Sequence, residues 1–272
     1  MQSGFYANAG GMVTQFNRLD VISNNLANIN TNGFKRDDVV IGDFMRLFQE
    51  KRDDLPLENH TKEGAQYLNR SIVRVPHIVE EYTKHDLGGF AKTDNPLDVA
   101  LQQENTFFAV NTPTGVRFSR DGSFSMNDAG ELVNKQGFQV LPKNYFENRE
   151  PLVLPIDKDF SIDASGSIYT IDQADLTQTP ELNAIMVVRF DNIKYLQKDG
   201  NNLFTTDRTP TLEEGGNLML QGFIEKSNVN PIREMTALIE TNRLVGMYQK
   251  VMDSQMNDLN SDAINKLASI RG

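Results

Sequence analysis

The chain has 272 residues, 39% of them apolar, which is enough for one large or two small domains with a buried interior. Its 37 acidic and 27 basic side chains leave a net charge of −10, and no lysine or arginine cluster is present to follow a phosphate backbone, so nucleic acid is not expected as a partner. Cysteine is absent, which removes disulfides, thiolate metal ligands and thiol nucleophiles together.

From the N-terminus, Phe5, Ala9, Met12, Phe16, Leu19, Ile22, Leu26 and Ile29 recur at steps of three or four. They average about 3.4 residues, which predicts a first helix with a coiled-coil-like seam. Gly10-Gly11 weakens that helix by roughly 1 kcal/mol per glycine, so a bend or frayed start is expected there. Asn32-Gly33 supplies residues that tolerate the left-handed conformation closing a helix. The opening segment lacks the basic and continuous apolar regions of a cleaved signal peptide, and no run of about 18 apolar residues suits membrane insertion.

Next comes a polar excursion, in which Phe44, Leu47 and Phe48 suggest a short helix and Asp53 to Lys62 an exposed loop. The texture then changes to short apolar or alternating runs broken by turn residues, the pattern of antiparallel sheet. Such runs are Phe107 to Val110, Val116 to Phe118, Phe124 to Met126, Leu132-Val133, Phe138 to Leu141, Ser167 to Thr170, Ile185 to Phe190 and Leu218 to Ile224. At the other end Asn230 suits a helix cap and Pro231 the first helical position. Met235, Leu238, Val245, Tyr248, Met252, Met256, Leu259, Ala263, Leu267 and Ile270 follow at a step near 3.5, with a polar slot at Asn242. If continuous, that helix is on the order of 58 Å long.

Pairing the two terminal helices would cover one stripe on each, but Ala7, Val13, Val21, Ile239, Leu244, Met247, Val251 and Ile264 lie off those seams. Further helices from other copies of the chain are the simplest cover. Packing of both helices on the β domain, as an ordinary α+β fold, stays open on pattern alone.

Little suggests catalysis. His60, His77 and His85 lie in or beside the polar loop and lack metal-ligand spacing. Asp121 with Glu131 or Asp163 is conceivable as a glycosidase pair, but Asp121-Gly122 is better read as a hairpin turn. Gly88-Gly89 and Gly215-Gly216 lack the strand-to-helix setting of a phosphate loop. No cofactor or metal is expected.

The string Ser23-Asn24-Asn25-Leu26-Ala27-Asn28-Ile29-Asn30-Thr31-Asn32-Gly33-Phe34-Lys35-Arg36 is unusual, because asparagine favours caps and turns over helix interiors. Amides at this density imply bonds to backbone or to neighbouring chains. The string resembles the N-terminal signature of flagellar basal-body rod proteins, shared with hook proteins. Asn95 to Leu101, Thr106 to Val110, Ser119 to Phe124 and Gly222 to Asn230 extend the resemblance over nearly the whole chain. Leu97 to Leu101 and Asn242-Arg243 look more like the proximal-rod type, FlgF, whereas the length of the 37–95 excursion looks more like the distal-rod type, FlgG; FlgF is narrowly favoured.

The resemblance implies an α+β fold with long N- and C-terminal helices forming a coiled-coil-like inner layer, and a central, mainly antiparallel β domain. The segments would be 1–36 for the first helix and Asn-rich linker, 37–79 for the excursion, 80–225 for the β domain and 226–272 for the last helix. It also implies a structural subunit of a helical tube that transmits torque across the periplasm and conducts exported subunits. Implied partners are copies of itself, other rod and hook-type axial proteins and the flagellar type III export apparatus, reached without a cleaved signal peptide. A hook-type axial protein and a soluble carbohydrate-binding β protein with helical tails are the alternatives. Candidate assembly residues are Phe5, Met12, Phe16, Leu19, Ile22, Leu26, Ile29, Met235, Leu238, Val245, Tyr248, Met252, Met256, Leu259 and Leu267 on the helices. Asn24, Asn25, Asn28, Gly33, Phe34, Asn228, Asn230 and Asn242 complete the set.

Overall fold

Apolar runs without alternation need cover on both faces of a strand, and in this sequence they fall in the middle of the chain. In the computed structural model, which describes residues 2–43, 76–155, 159–171, 183–213 and 215–269, those runs form a β body. The order begins with helix α1 (Gln2–Ala27), β1 (Asp37–Asp43), β2 (Pro76–Thr83), β3 (Phe90–Lys92), β4 (Val99–Leu101) and β5 (Thr106–Thr112). It continues with β6 (Gly115–Ser119), β7 (Ser125–Met126), β8 (Leu132–Val133), β9 (Gln139–Val140), the four-residue helix α2 (Tyr145–Asn148), β10 (Asp159–Ile162) and β11 (Ser167–Ile171). Then come β12 (Asn183–Ala184), β13 (Val187–Arg189), β14 (Gln197–Lys198), β15 (Leu203–Thr205), β16 (Thr211–Leu212), β17 (Met219–Gln221), β18 (Phe223–Glu225) and helix α3 (Pro231–Ser269).

The chain divides into two units, Met1–Leu26 with Asp37–Tyr82 and Pro231–Gly272, and Ala27–Arg36 with Thr83–Asn230. The second, the β unit, is built on a nine-stranded sheet in which β14, β15, β6, β5, β9, β8 and β7 follow one another, while β13 joins β5 and β16 joins β13. Every pairing in it is antiparallel. β5 lies at its centre: β6 runs along one edge, and β13 and β9 share the other. Its side chains alternate between two cores. Phe108 and Val110 pack with Val99, Leu101, Val187 and Leu203, whereas Phe107 and Ala109 pack with Phe118, Val188 and Phe204. Period two therefore explains why an unbroken apolar run is correct there.

Three hairpins turn by one device. Asn127, Asn134 and Asp163 each accept, at Oδ1, from the backbone N–H groups two and four residues on, at 2.9–3.1 Å. The glycine three residues on, Gly130, Gly137 or Gly166, then takes positive φ, at 79°, 82° and 89°. A side-chain amide or carboxylate followed by a left-handed glycine is the chemistry such loops require. Asp121-Gly122 differs from its expected role as a hairpin turn: β6 pairs with β5 and β15, and β7 with β8. Glycine is needed there because a Cβ would lie 1.7 Å from the Val99 carbonyl oxygen.

The other unit contains α3, β1, and all but the last residue of α1 and of β2, the strand that pairs with β1. Gly11 does not break α1; a Cβ there would lie 2.7 Å from the Tyr248 ring, so the glycine makes room for it. Asn8 donates to Gln255 at 3.3 Å, farther along the same helix faces.

The expected fold class needs correction. The described residues hold three α-helices, two of them longer than seven residues, and a largely antiparallel β body, and the terminal helices do not form a coiled-coil layer. A coiled coil buries apolar knobs along its seam. Here Phe16, Met235 and Met256 of the expected seam are 42%, 55% and 51% exposed, while Gly11, Thr14, Gln15, Asn25, Glu234 and Thr241 are covered. Apart from Ile22 and Val245 the covered row is small or polar, so it holds few of the side chains that drive supercoiling. Phe44, Leu47, Phe48, His60 and the Asp53 to Lys62 segment lie outside the described residues.

Candidate assembly site

The asparagine string ends α1 and then turns within the β unit. Asn28 Oδ1 accepts from Thr31 Oγ1 at 3.1 Å, and the Asn28 carbonyl accepts from the Thr31 N–H at 3.2 Å. Gly33 sits at φ 66° and donates to the Glu225 carbonyl at 2.7 Å. A Cβ at Gly33 would lie 2.4 Å from the Arg120 carbonyl carbon, so this position is closed to any other residue by both its dihedral and its neighbour.

Below this turn lies a fully buried ion cluster. Lys35 Nζ meets Glu225 Oε1 at 2.6 Å, and Arg120 Nη2 meets Glu225 Oε2 at 2.7 Å, with all three side chains at most 1% exposed. Arg120 also donates to the carbonyls of Leu101, Gln103 and Thr106, and Lys35 to that of Asp86. Gly88 N–H completes the shell of Glu225 Oε1 at 2.9 Å. Burial lowers the proton affinity of Lys35, opposed by Glu225 and reinforced by Arg120. Burial likewise lowers that of Arg120, opposed by Glu225. One carboxylate thus ties the N-terminal turn, the Ser119 to Phe124 motif and strand β18 together.

Asn228 is a backbone clamp beside this cluster. Its Oδ1 accepts from the Arg36 N–H at 2.8 Å, and its Nδ2 donates to the carbonyls of Lys84 and Asp86 at 2.8 and 3.1 Å. Phe34 is buried and carries Lys198 Nζ 4.1 Å from its ring centroid. His85 is buried against Phe107 and Phe204, rather than in an exposed flank, and burial with Lys35, Lys198 and Arg120 nearby lowers its pKa to about 4.

In the helical unit Asn25 works in the same way. Its amide exchanges two hydrogen bonds with the Asp37 backbone, at 2.8 and 3.0 Å, and reaches Glu234 at 3.4 Å. Asn24 lines a hollow with Asn17, Asp20, Val21, Asp37, Ile78 and Glu81. Of the expected helix residues, Ile22 and Val245 are buried, whereas Phe5, Met12, Leu19, Leu26, Ile29, Leu238, Tyr248 and Met252 are half-buried. Asn230 and Asn242 are exposed, and the side chains of Leu259 and Leu267 lie outside the described set. Val13, Ile232, Ile239, Met247 and Val251 add to the exposed apolar side chains of this unit. The structure therefore splits the candidates: Gly33, Phe34 and Asn228 serve the β unit internally, and the outward apolar residues sit on α1 and α3.

Sequence reasoning missed Lys35, Arg120 and Glu225. Each stands next to another charged residue, Arg36, Asp121 or Lys226, so no local pattern marks it as buried. The carboxylates considered for catalysis are engaged elsewhere: Glu131 bonds Asn127 and Gln139, Asp163 caps its turn, and Asp121 bonds Ser123 N–H and Lys135. Among the described residues no group of three His, Asp or Glu side chains is placed to hold a metal, and no helix is long and apolar enough to cross a membrane.

Three family models match the chain: the flagella basal body rod protein at residues 5–35, the flagellar hook protein FlgE/F/G D1 domain at 103–170, and the flagellar basal body rod FlgEFG protein C-terminal at 220–266. Among curated relatives, the flagellar basal-body rod protein FlgG of Buchnera aphidicola from Acyrthosiphon pisum is 32% identical over 88% of this chain and 90% of its own length. FlgF of Mesorhizobium japonicum is 30% identical over 99% of both, and FlgG of Caulobacter vibrioides 31% over 90% and 92%. Relatives of both names match at like identity, which does not separate the FlgF from the FlgG type. Similarity at this level over nearly the full length, with the Asn-rich turn and the Gly222 to Asn230 segment inside the matched regions, places the chain in the flagellar basal-body rod protein family, FlgF/FlgG type.

Proposed function

We propose that the chain is a structural subunit of the flagellar basal-body rod, assembling with copies of itself and with other rod components through the outward apolar side chains of α1 and α3. The observation that carries this reading is their exposure: Ile232 is 76%, Ile239 60% and Met235 55% accessible in the single chain. Apolar side chains grouped in this way on a folded protein mark an interaction surface. Contacts between unlike faces of successive copies give an open helical array, and repetition of many such contacts yields a stiff tube suited to torque transmission across the periplasm. In this reading the β unit is a prefolded body, hook-type axial proteins and the flagellar type III export apparatus are further partners, and no catalysis, nucleic-acid binding or membrane insertion takes part.

The test is a Met235→Asp, Met256→Asp double variant, followed by sedimentation velocity and electron microscopy of assembly and by motility in cells lacking the natural gene. The expected result is an unchanged melting curve with assembly and motility lost. Normal assembly by the folded variant would remove α3 from the interface.

A further inference from the structure

The sequence contains one Asn-Gly pair, Asn32-Gly33, and it falls in a turn of the β unit held by hydrogen bonds to Glu225, Ser123 and Asn202. In a flexible chain this pair is chemically unstable, because glycine lacks the Cβ that would shield its backbone nitrogen from the preceding side chain. The Gly33 nitrogen loses its proton and bonds to Asn32 Cγ, while the Cγ–Nδ2 bond breaks and Nδ2 leaves as ammonia. Water then opens the resulting succinimide at either carbonyl. Opening at Cγ gives aspartate; opening at the backbone carbon gives isoaspartate, with one extra methylene in the main chain.

Each reacting group is held in the folded unit. The Gly33 N–H donates to the Glu225 carbonyl at 2.7 Å, so the proton that must leave is engaged. The leaving amide donates to Ser123 Oγ at 2.7 Å, and the Asn32 carbonyl accepts from Asn202 Nδ2 at 2.8 Å, which fixes the residue on both sides. Gly33 is itself buried, with the backbone of Arg120 and Asp121 within 2.4–2.6 Å of where a Cβ would stand. A lengthened main chain has no room at that point.

We infer that Asn32 is a deamidation site gated by folding: docking of the Asn-rich turn protects it, and residence in the unfolded state converts it to isoaspartate, which bars the β unit from refolding. The time a chain spends unfolded thus limits the fraction that reaches the native β unit. This rests on the turn and its partners alone and is independent of assembly.

The experiment incubates the full chain at mildly alkaline pH, in buffer and in concentrated urea, with peptide mapping by mass spectrometry and isoaspartate located by electron-transfer fragmentation. Asn32 is expected to react faster than any other asparagine in urea and about tenfold or more slowly in the native chain, as for any reaction that requires local opening. After urea is removed, chains carrying isoaspartate should remain protease-sensitive over residues 83–230, whereas aged Asn32→Gln chains should refold. Ser123→Ala should raise the native rate and leave the urea rate unchanged. Equal rates for the wild-type chain in buffer and urea would overturn the gating, and full refolding of isoaspartate chains would overturn its consequence; both readings stand even where a variant fails to fold.

Discussion

The β unit and the helical unit place their apolar side chains in opposite ways. In the first, Phe107, Phe108 and Phe204 are at most 1% exposed and even a three-member ion cluster is out of solvent; in the second, Ile232, Ile239 and Met247 are more than half exposed. The β unit closes its core with its own strands and holds its buried charges against one another and against backbone carbonyls. The helical unit instead leaves apolar side chains exposed among the described residues. Substitutions in the two regions should therefore fail at different steps, folding in one and association in the other.

The strongest way to break that contrast is to remove the carboxylate on which the β unit converges. Glu225→Gln leaves Lys35 and Arg120 buried without the carboxylate that contacts them both, and breaking one member of such a cluster costs about 3–5 kcal/mol. Urea unfolding followed by a probe in residues 83–230 should show that loss. A cost below about 1 kcal/mol would mean that backbone carbonyls alone satisfy both cations.

Acid should act on the same unit through His85. Its pKa falls from 6.5 to about 4 in the folded chain, because burial and the nearby Lys35, Lys198 and Arg120 disfavour the proton. Between those values the unfolded state binds more protons than the folded one, so stability is complete above pH 6.5 and is lost as pH falls toward 4. At about 1.36 kcal/mol per unit the loss is roughly 3 kcal/mol. His85→Gln, neutral throughout, should flatten the difference between urea curves taken at the two ends of that window. Persistence of the full slope would assign it to the carboxylates instead.

These effects trace back to what could be read in advance. The strands were legible because an unbroken run such as Phe107 to Val110 and turns such as Asn127 to Gly130 carry local chemistry that allows few other conformations. The start of α3 at Asn230-Pro231 was legible for the same reason. The coiled-coil layer was misread because spacing reports which residues share a face and not which face is covered: Gly11, Gln15, Asn25 and Glu234 are covered ahead of Phe16 and Met235. The ion cluster was invisible because Lys35, Arg120 and Glu225 are 85 or more residues apart in sequence and meet only after the turn, the loop after β6 and β18 converge. For the asparagine string, bonds to backbone or to neighbouring chains were both expected; Asn25 bonds the Asp37 backbone and Glu234, and which backbone groups it meets depends on where the chain returns after the turn.

The smallest expected effect sharpens the comparison most. Ile239 is 60% exposed on α3, so Ile239→Ser removes apolar surface that water already reaches. Such exposed substitutions change stability by no more than about 0.5 kcal/mol, against about 3–5 kcal/mol for truncating a core phenylalanine such as Phe108. Helix propensity does not confuse the result, since isoleucine and serine lie close on that scale. Thermal melts of Ile239→Ser and wild type should superimpose, with weaker self-association by sedimentation equilibrium as the sole difference. A clear drop in melting temperature at low protein concentration would show that Ile239 is covered within the single chain in solution, and would move it from the assembly surface to the fold.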